Sequence, residues 1–155
     1  MSAEPLHALD EAILRFRVAT QRPAYARAIL DGLGFDGGVA SLRVLRAVER
    51  LTAAEGGPSI RRVASELGVE HSTASRLVDG LDRAGLLEKR GCGEDRRQTR
   101  LRLTARGRSV LDRATARRRE LVAELTASWS AEDRDTLTRL LERLAAVFDE
   151  RFARP

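Results

Sequence analysis

The chain has 155 residues and a mass of 17.1 kDa, the size of one ordinary domain or of one compact core with helical extensions. Hydrophobic residues make up 43% and charged residues 33%, a balance that excludes a disordered chain and a membrane-embedded one. No apolar run approaches the roughly 18 residues of a membrane-spanning helix, and the N-terminal segment lacks the basic start and continuous apolar stretch of a signal peptide. These features predict a globular cytoplasmic protein.

Nearly all of the positive charge comes from arginine. The sequence has 28 Lys+Arg against 23 Asp+Glu, a net charge of +5, and Lys89 is its only lysine. Arginine binds phosphate in a fork geometry, so this composition suits a protein that binds nucleic acid. GC-rich codon usage produces the same excess of arginine, so the positions of the arginines are more informative than their number.

Residues typical of catalysis and metal binding are scarce. The single cysteine, Cys92, excludes an intramolecular disulfide and fits a reducing compartment. With only His7 and His71 beside that cysteine, a dedicated zinc site is not expected. The sequence has no paired-carboxylate motif, no G-x-G-x-x-G, no P-loop and no supported Ser/His/Asp grouping. We therefore expect no enzyme activity, no catalytic residues, no metal and no cofactor.

The first part of the chain has a helical pattern. Over residues 5–30, apolar side chains recur at steps of three and four, at Leu6, Leu9, Ile13 and Phe16. Pro23 lies inside this segment and predicts either a kink or a break into two helices. The glycine-containing stretch 31–34 ends the segment, and another helix is predicted over residues 37–54.

The middle of the chain has the pattern of a helix-turn-helix. Ser59 suits the N-cap of a short helix over residues 60–67, which Gly68 ends. After a tight turn, another helix is predicted over residues 71–84, and Gly85 ends it. Two helices joined by a glycine-containing turn are typical of proteins that place the second helix in the major groove of DNA.

The pattern then changes from helix to strand. Residues 86–90 and 99–103 predict two short strands, and the polar, glycine-containing stretch 91–97 between them predicts an exposed hairpin loop. A thin loop that carries arginines suits the narrow, negative minor groove of DNA. Arg96 and Arg97 are predicted at its tip, with further arginines nearby at Arg90, Arg100 and Arg102.

Two more helices are predicted after the hairpin. Thr104 suits the N-cap of a long helix that runs through Ser128, on which the run Arg117-Arg118-Arg119 predicts a solvated face. Ser130 opens the last helix, whose acidic first turn suits the helix dipole. This helix has a second apolar seam, formed by Leu137, Leu141, Leu144 and Phe148.

These elements predict a mainly helical fold with a small β-wing, a winged helix-turn-helix flanked by N- and C-terminal dimerisation helices. The predicted parts are residues 1–34 and 105–155 for dimerisation and 35–104 for the DNA-binding lobe, within a single domain overall. The two apolar seams exceed what the lobe needs to cover, so they predict a two-fold dimer that binds a palindromic operator. The alternative is that the seams pack within one chain. Trp129 is predicted to lie in the core or at an interface.

The segments VASELGVEHSTASRLVDGLDRAGLLEKR and EDRRQTRLRLTARG resemble the MarR (multiple antibiotic resistance regulator) family of bacterial transcription factors. The family's wing pattern D-x-R-x(3)-L-x-L-T-x-x-G is met by Asp95, Arg97, Leu101, Leu103, Thr104 and Gly107. The resemblance covers essentially the whole chain, because the flanking helices also fall where the family has its dimerisation helices. It implies a homodimeric regulator of transcription, most often a repressor that a small molecule releases from DNA.

The candidate DNA contacts lie on three segments. Arg61 and Arg62 occupy the first turn of a helix, where cations oppose the dipole unless a phosphate lies close by. The recognition helix offers hydroxyl groups and a bidentate cation to base edges and phosphates, from His71, Ser72, Thr73, Ser75 and Arg76. In the wing, the resemblance implies that Asp95 braces an arginine and that Arg97 enters the minor groove, with Arg96 beside it. The alternative for each of these residues is an ordinary solvated surface.

The prediction of how the protein is regulated depends mainly on the resemblance to the family. Relatives bind small anionic aromatic compounds in a crevice between the dimer helices and the DNA-binding lobe, where Arg15, Phe16 and Arg43 are the candidates in this chain. Cys92 lies among arginines, which favour its thiolate, so a redox response acting through the wing is an alternative. Another alternative is a winged-helix module that binds protein, although such a module does not require arginines at both the helix-turn-helix and the wing.

Overall fold

Residues 3–55, 57–92 and 95–152 are described by the structure, which is a computed structural model, and their side chains are described except at 3–5, 54–55, 92 and 95–98. The chain divides into two compact units, Met1–Arg117 and Arg118–Pro155. The first unit contains the helix-turn-helix and the hairpin, and the second contains the last helix.

The elements confirm the predicted fold class, because they are mainly helices with a two-stranded antiparallel sheet. The helices start or end within three residues of their predicted positions. In chain order the elements are α1 (Ala3–Thr20), α2 (Pro23–Leu30), α3 (Val39–Glu55), α4 (Ile60–Leu67), α5 (His71–Arg83), β1 (Leu87–Cys92), β2 (Asp95–Leu103), α6 (Ala105–Leu125) and α7 (Ala131–Phe152).

Local sequence chemistry sets several helix ends. α1 ends at Thr20 and α2 begins at Pro23, so the proline breaks the N-terminal helix rather than kinking it. Proline fits the first turn of a helix, because the N–H that it lacks would have no partner there. At the start of α4, the Ser59 hydroxyl accepts a hydrogen bond from the backbone N–H of Arg62 at 3.2 Å. Gly68 ends that helix in the left-handed conformation, with φ at 65°.

The core of the first unit is built around α3. Val44, Leu45 and Val48 on this helix are completely buried, and α3 packs against α4, α5 and β2. Burying an aliphatic side chain of this size stabilises a fold by about 1.5–3 kcal/mol. The recognition helix and the hairpin are therefore both held by a common helix behind them.

The hairpin is longer than the sequence predicts. β1 continues through Gly91 and Cys92, and β2 already begins at Asp95, so most of the predicted loop 91–97 is strand. The antiparallel register pairs Gly91 with Thr99 and Cys92 with Asp95, with an irregularity between Gly91 and Cys92. The prediction failed because strand pairing uses backbone groups, and an exposed ladder lacks the alternation of apolar residues by which strands are recognised. Arg96 and Arg97 therefore lie on β2 rather than at a loop tip.

The arginine run on α6 is only partly a solvated face. Arg117 is half-buried, and its Nε donates a hydrogen bond to the carbonyl of Ala28 in α2 at 3.2 Å, so its predicted role as a solvated residue is wrong. One turn earlier, Arg113 donates to the carbonyl of Leu33 at 2.7 Å. Arginine reaches such carbonyls because its long side chain carries five donors. Arg118 and Arg119 are exposed, as expected.

Gly80 lies inside the recognition helix, where glycine gives a lower free energy of unfolding than alanine does. A Cβ built on this residue would have no heavy atom within 4 Å outside its own helix backbone. Gly80→Ala is therefore expected to raise the free energy of unfolding by about 0.5–1 kcal/mol, because alanine is the better helix former and restricts the unfolded chain. Urea denaturation of both proteins at the same concentration measures this difference. An unchanged or lower stability would show that the added methyl group is not accommodated.

Candidate nucleic-acid interface

The recognition helix α5 has one buried face and one exposed face. Ala74, Val78 and Leu81, at steps of four and three, are buried against the lobe. On the opposite side, the predicted contact residues His71, Ser72, Thr73 and Arg76 are exposed, whereas Ser75 is half-buried. The buried face fixes the orientation of the helix, so the exposed residues form a defined surface of donors.

Arg76 is the one guanidinium among these predicted contacts on α5. Its side chain is exposed, and within the described ranges no hydrogen bond or ion pair engages it. An uncommitted guanidinium on a fixed helix can form two parallel hydrogen bonds to guanine or bind a phosphate.

The start of α5 lacks a side-chain cap. Glu70 occupies the N-cap position, and its carboxylate makes no capping hydrogen bond, although its backbone carbonyl accepts from Thr73 and Ala74. The first N–H groups of the helix are therefore not satisfied by a capping side chain of the kind that Ser59 provides for α4. Such a helix start attracts an anion.

The first turn of α4 carries the two other predicted cations. Arg61 and Arg62 are both exposed, next to the capped helix start at Ser59. The helix itself is held to α3 by an ion pair between Arg50 and Glu66. Two guanidinium groups at a helix N-terminus form a compact positive surface, which suits the phosphate backbone of DNA.

The base of the wing is fixed to the lobe by backbone contacts. Leu101 N donates to the carbonyl of Pro58 at 2.9 Å, and the half-buried Arg100 donates to the carbonyl of Gly57 at 2.8 Å. Arg100 therefore has a structural partner, whereas Arg102 on the same strand is exposed. The segment just before α4 thus lies beside β2 and holds this strand through the carbonyls of Gly57 and Pro58.

The start of α6 is hydrogen-bonded to the same region. The Thr104 hydroxyl donates to the carbonyl of Gly85 at 2.7 Å and accepts from the N–H of Gly107 at 3.0 Å, which confirms its predicted role as a cap. The backbone N–H of Thr104 donates to the carbonyl of Leu86 at 3.2 Å. The threonine therefore joins the end of the recognition helix, the wing and α6.

Lys89 joins β1 to the recognition helix, a contact that the sequence pattern did not predict. Its Nζ pairs with Asp79 Oδ1 and lies 3.7 Å from Asp82 Oδ2. The hydrogen bond from Lys89 lowers the pKa of Asp79 below its usual value, and the same bond raises the pKa of Lys89, so both groups are charged at neutral pH. Two aspartates three residues apart on α5, followed by a single lysine on β1, were the available sequence signal.

The predicted wing contacts fall partly outside the described part of the chain. The backbones of Asp95, Arg96 and Arg97 lie on β2, and that of Cys92 ends β1, but their side chains are outside the described residues. The bracing role of Asp95, the groove contact of Arg97 and a redox role for Cys92 stay predictions.

The candidate effector residues lie on two helices of the first unit. Arg15 and Phe16 are exposed on α1 and border a shallow depression, and Arg43 is exposed on α3. All residues that line this depression belong to α1 or to Arg22 just after it, and Arg43 is not among them. The effector site stays a prediction, because the structure does not bring the three residues together in one pocket.

The predicted dimerisation residues form apolar surfaces on the chain. Their exposed fractions are between 38% and 66%, for Leu6, Leu9, Ile13, Phe16, Leu137, Leu141, Leu144 and Phe148. Further exposed apolar residues widen each surface, at Leu14, Val18, Leu140, Val147 and Phe152. Trp129 is 41% exposed, so it is not a core residue of the single chain.

Neither a metal-ligand cluster nor a helix able to cross a membrane is found among the described residues. No group of three or more histidine, cysteine, aspartate or glutamate side chains in that part of the chain is arranged to hold a metal ion. No described helix combines the length and apolar character needed to span a membrane.

A helix-turn-helix followed by an antiparallel hairpin, with donors exposed on the second helix, defines the winged helix-turn-helix class of DNA-binding proteins. A model of the MarR family matches residues 38–98, which contain α4, α5 and all ten predicted DNA contacts. The structural class is therefore the winged helix-turn-helix, and residues 38–98 of this chain are similar to the MarR family of that class.

Several solved structures have a similar fold. A MarR family protein from Bacillus stearothermophilus is 22% identical over 96% of this chain and 99% of its own, with a TM-score of 0.75. RV1404 from Mycobacterium tuberculosis is 25% identical over 94% of each chain, with a TM-score of 0.68. The transcriptional regulator PcaV from Streptomyces coelicolor, solved with its natural ligand, is 26% identical over 86% of this chain and 89% of its own, with a TM-score of 0.59.

Proposed function

We propose that this protein is a homodimeric transcriptional repressor that binds a palindromic operator and is released from it by a small molecule. The observation that carries the proposal is the exposed face of α5, where His71, Ser72, Thr73 and Arg76 stand on a helix whose other face is buried. A fixed helix that presents side-chain donors on one side suits the major groove, where each base pair offers a distinct pattern of hydrogen-bonding groups.

The remaining lobe residues have supporting roles in this proposal. Arg61 and Arg62 bind phosphates at the start of α4 and set the position of the protein on the duplex. Ser75 is half-buried and contributes its hydroxyl at the edge of the recognition surface. Arg97, braced by Asp95 and accompanied by Arg96, enters the adjacent minor groove from the wing.

Dimerisation follows from the cost of exposed apolar surface. Both α1 and α7 carry rows of leucine and phenylalanine that are between 38% and 66% exposed in the single chain. Removing apolar surface from water contributes about 25 cal/mol per Å², so pairing of these rows between two chains stabilises an assembly. A two-fold assembly presents two copies of α5, which fits an operator with two inverted half-sites.

The effector is proposed to be a small anionic aromatic compound that binds near Arg15, Phe16 and Arg43. PcaV, which is 26% identical to this chain, was solved with its natural ligand, and this supports a small-molecule effector. The guanidinium of Arg15 and the ring of Phe16 belong to adjacent residues on α1 and suit a carboxylate attached to a ring.

Fluorescence anisotropy tests DNA binding. The protein is titrated into labelled duplexes from the intergenic DNA upstream of its own gene and into scrambled duplexes of equal length, at about 50 and about 200 mM salt. We expect tighter binding to the natural sequence and at least a roughly tenfold loss of affinity at the higher salt, because arginine–phosphate contacts release counterions. Equal, weak binding to both duplexes would instead favour a protein partner, and an affinity that does not change with salt would contradict the phosphate contacts.

A further inference from the structure

Within the described residues, the amine of Lys89 on β1 links the wing to carboxylates on the recognition helix. Its Nζ lies between two carboxylates on α5, because it hydrogen-bonds Asp79 and is 3.7 Å from Asp82. The lysine side chain is 28% exposed, and the two aspartates are 48% and 39% exposed. We call these three residues the helix–wing clasp.

We propose that Lys89 is a positioning residue that sets the angle of the wing against the recognition helix, and thereby the distance between the major-groove and minor-groove contacts. The proposal rests on the proposed function, since it concerns how two parts of one DNA-binding surface are held together. Lys89 acts through the wing rather than on DNA, because its amine is committed to Asp79 and Asp82.

Because Lys89 lies near the base of β1, the clasp can influence the position of the other end of this strand. β1 starts at Leu87 and ends at Cys92, so the lysine lies near the base of the strand and three residues before its end. A strand advances about 3.3 Å per residue, so the end of β1 lies roughly 10 Å beyond the clasp. A small rotation at the base therefore moves the far end of the wing by a larger distance.

The charges of the clasp favour lysine at this position. The two aspartates lie three residues apart on α5, so their carboxylates are on neighbouring turns of one helix face. A lysine amine is a compact point charge with three donors and can serve both carboxylates from one atom, whereas the donors of arginine are spread over a planar fork. The chain contains no other lysine, although it is rich in arginine.

The opposite strand of the hairpin is already fixed by other contacts. On β2, Leu101 and Arg100 hydrogen-bond the carbonyls of Pro58 and Gly57, and Thr104 continues the attachment at the start of α6. These contacts attach the wing to the lobe, but within the described residues they do not join it to the exposed side of α5. The clasp supplies that connection on β1.

The test compares Lys89→Met with Lys89→Arg and with a matched control. Glu66→Gln removes a different ion pair of the same lobe, the one between α3 and α4, which does not involve the wing. The DNA probes are a duplex that the full-length wild-type protein selects from a random-sequence pool and an unrelated duplex of equal length. Each protein is measured by anisotropy and by thermal unfolding.

We expect Lys89→Met to weaken binding to the selected duplex by about 3- to 30-fold, the range found for residues that couple two sites without contacting the ligand. Binding to the unrelated duplex and the unfolding temperature are expected to change little, and Lys89→Arg is expected to recover part of the affinity. Glu66→Gln should leave the preference for the selected duplex unchanged. In an Arg97→Ala background, Lys89→Met should have no further effect, because the wing no longer carries the guanidinium that the clasp positions.

Four outcomes would contradict the proposal. If the wild-type protein selects a duplex and Lys89→Met binds it as tightly, or weakens binding to the same extent in the Arg97→Ala background, the positioning role is wrong. An equal decrease in affinity for both duplexes together with a lower unfolding temperature would also overturn it and leave a purely structural ion pair. If the wild-type protein selects no duplex, the proposed function itself fails, and this inference fails with it.

Discussion

Gly107→Ala is expected to lower the free energy of unfolding by about 3 kcal/mol, although alanine is the better helix former. Gly107 is buried in the first turn of α6, and a Cβ on it would lie 2.0 Å from the carbonyl oxygen of Leu86. Both atoms are fixed by the backbone, so no change of rotamer relieves the clash. α6 has to move away from Leu86, which breaks the hydrogen bonds that Thr104 makes to Gly85 and Leu86.

Thermal and urea denaturation measure this effect. A decrease of about 3 kcal/mol corresponds to an unfolding temperature lower by roughly 6–12 °C for a chain of this size. Gly80→Ala is the matched control, because the same methyl group is added to a helical glycine that has open space around it and the opposite sign is expected. All proteins are compared at one concentration, since self-association raises apparent stability. A Gly107→Ala protein as stable as the wild type would contradict the close approach of α6 to Leu86.

The helices could be predicted because the residues that end them act locally. Ser59 caps α4 through a hydrogen bond to the N–H three residues later, and Gly68 ends it in a conformation that glycine adopts without strain. Pro23 likewise breaks the N-terminal helix by its own ring geometry. Each of these effects depends on a few neighbouring residues, so it can be predicted from the sequence.

The contacts that position the candidate site depend on residues far apart in the chain. Arg117 was expected to be solvated, but it donates to Ala28, 89 residues earlier. The link from Lys89 to Asp79 requires the turn between α5 and β1 to bring a strand back beside a helix. Long polar side chains have many conformations, and periodicity gives no information about which distant partner they meet.

The recognition helix and the wing illustrate the difference between local effects, which can be predicted from sequence, and long-range contacts, which cannot. Spacing predicts Leu77, Val78 and Leu81 as the inward face of α5. Val78 and Leu81 are buried and Leu77 is half-buried. The opposite face, with His71 and Arg76, can therefore be predicted as exposed. The length of the wing was missed, because its polar strands are defined by backbone pairing rather than by side-chain pattern. Recognition helices are therefore easier to predict from sequence than the wings that accompany them.

Arg76→Ala is expected to weaken binding to the operator by about 1–3 kcal/mol per half-site and to relax the preference for one base pair in each half-site. The side chain is exposed on a helix held by Ala74 and Val78, so its removal leaves the fold intact. In a two-fold dimer the arginine is lost from both half-sites. The total loss of affinity for the operator is therefore expected to be about a hundredfold or more, on the order of 3 kcal/mol. Competition anisotropy against duplexes with single base-pair changes measures both the affinity and the preference.

Arg61→Ala is the matched control, because it removes a guanidinium at the first turn of α4 instead of one on the recognition helix. A phosphate contact carries no sequence information, so this substitution should weaken binding to all duplexes alike. It should also reduce the dependence of log affinity on log salt by about one for each phosphate that the protein no longer binds. If Arg76→Ala instead lowered the affinity for every duplex equally, Arg76 would bind phosphate, and the choice of base pairs would depend on His71, Ser72, Thr73 and the wing.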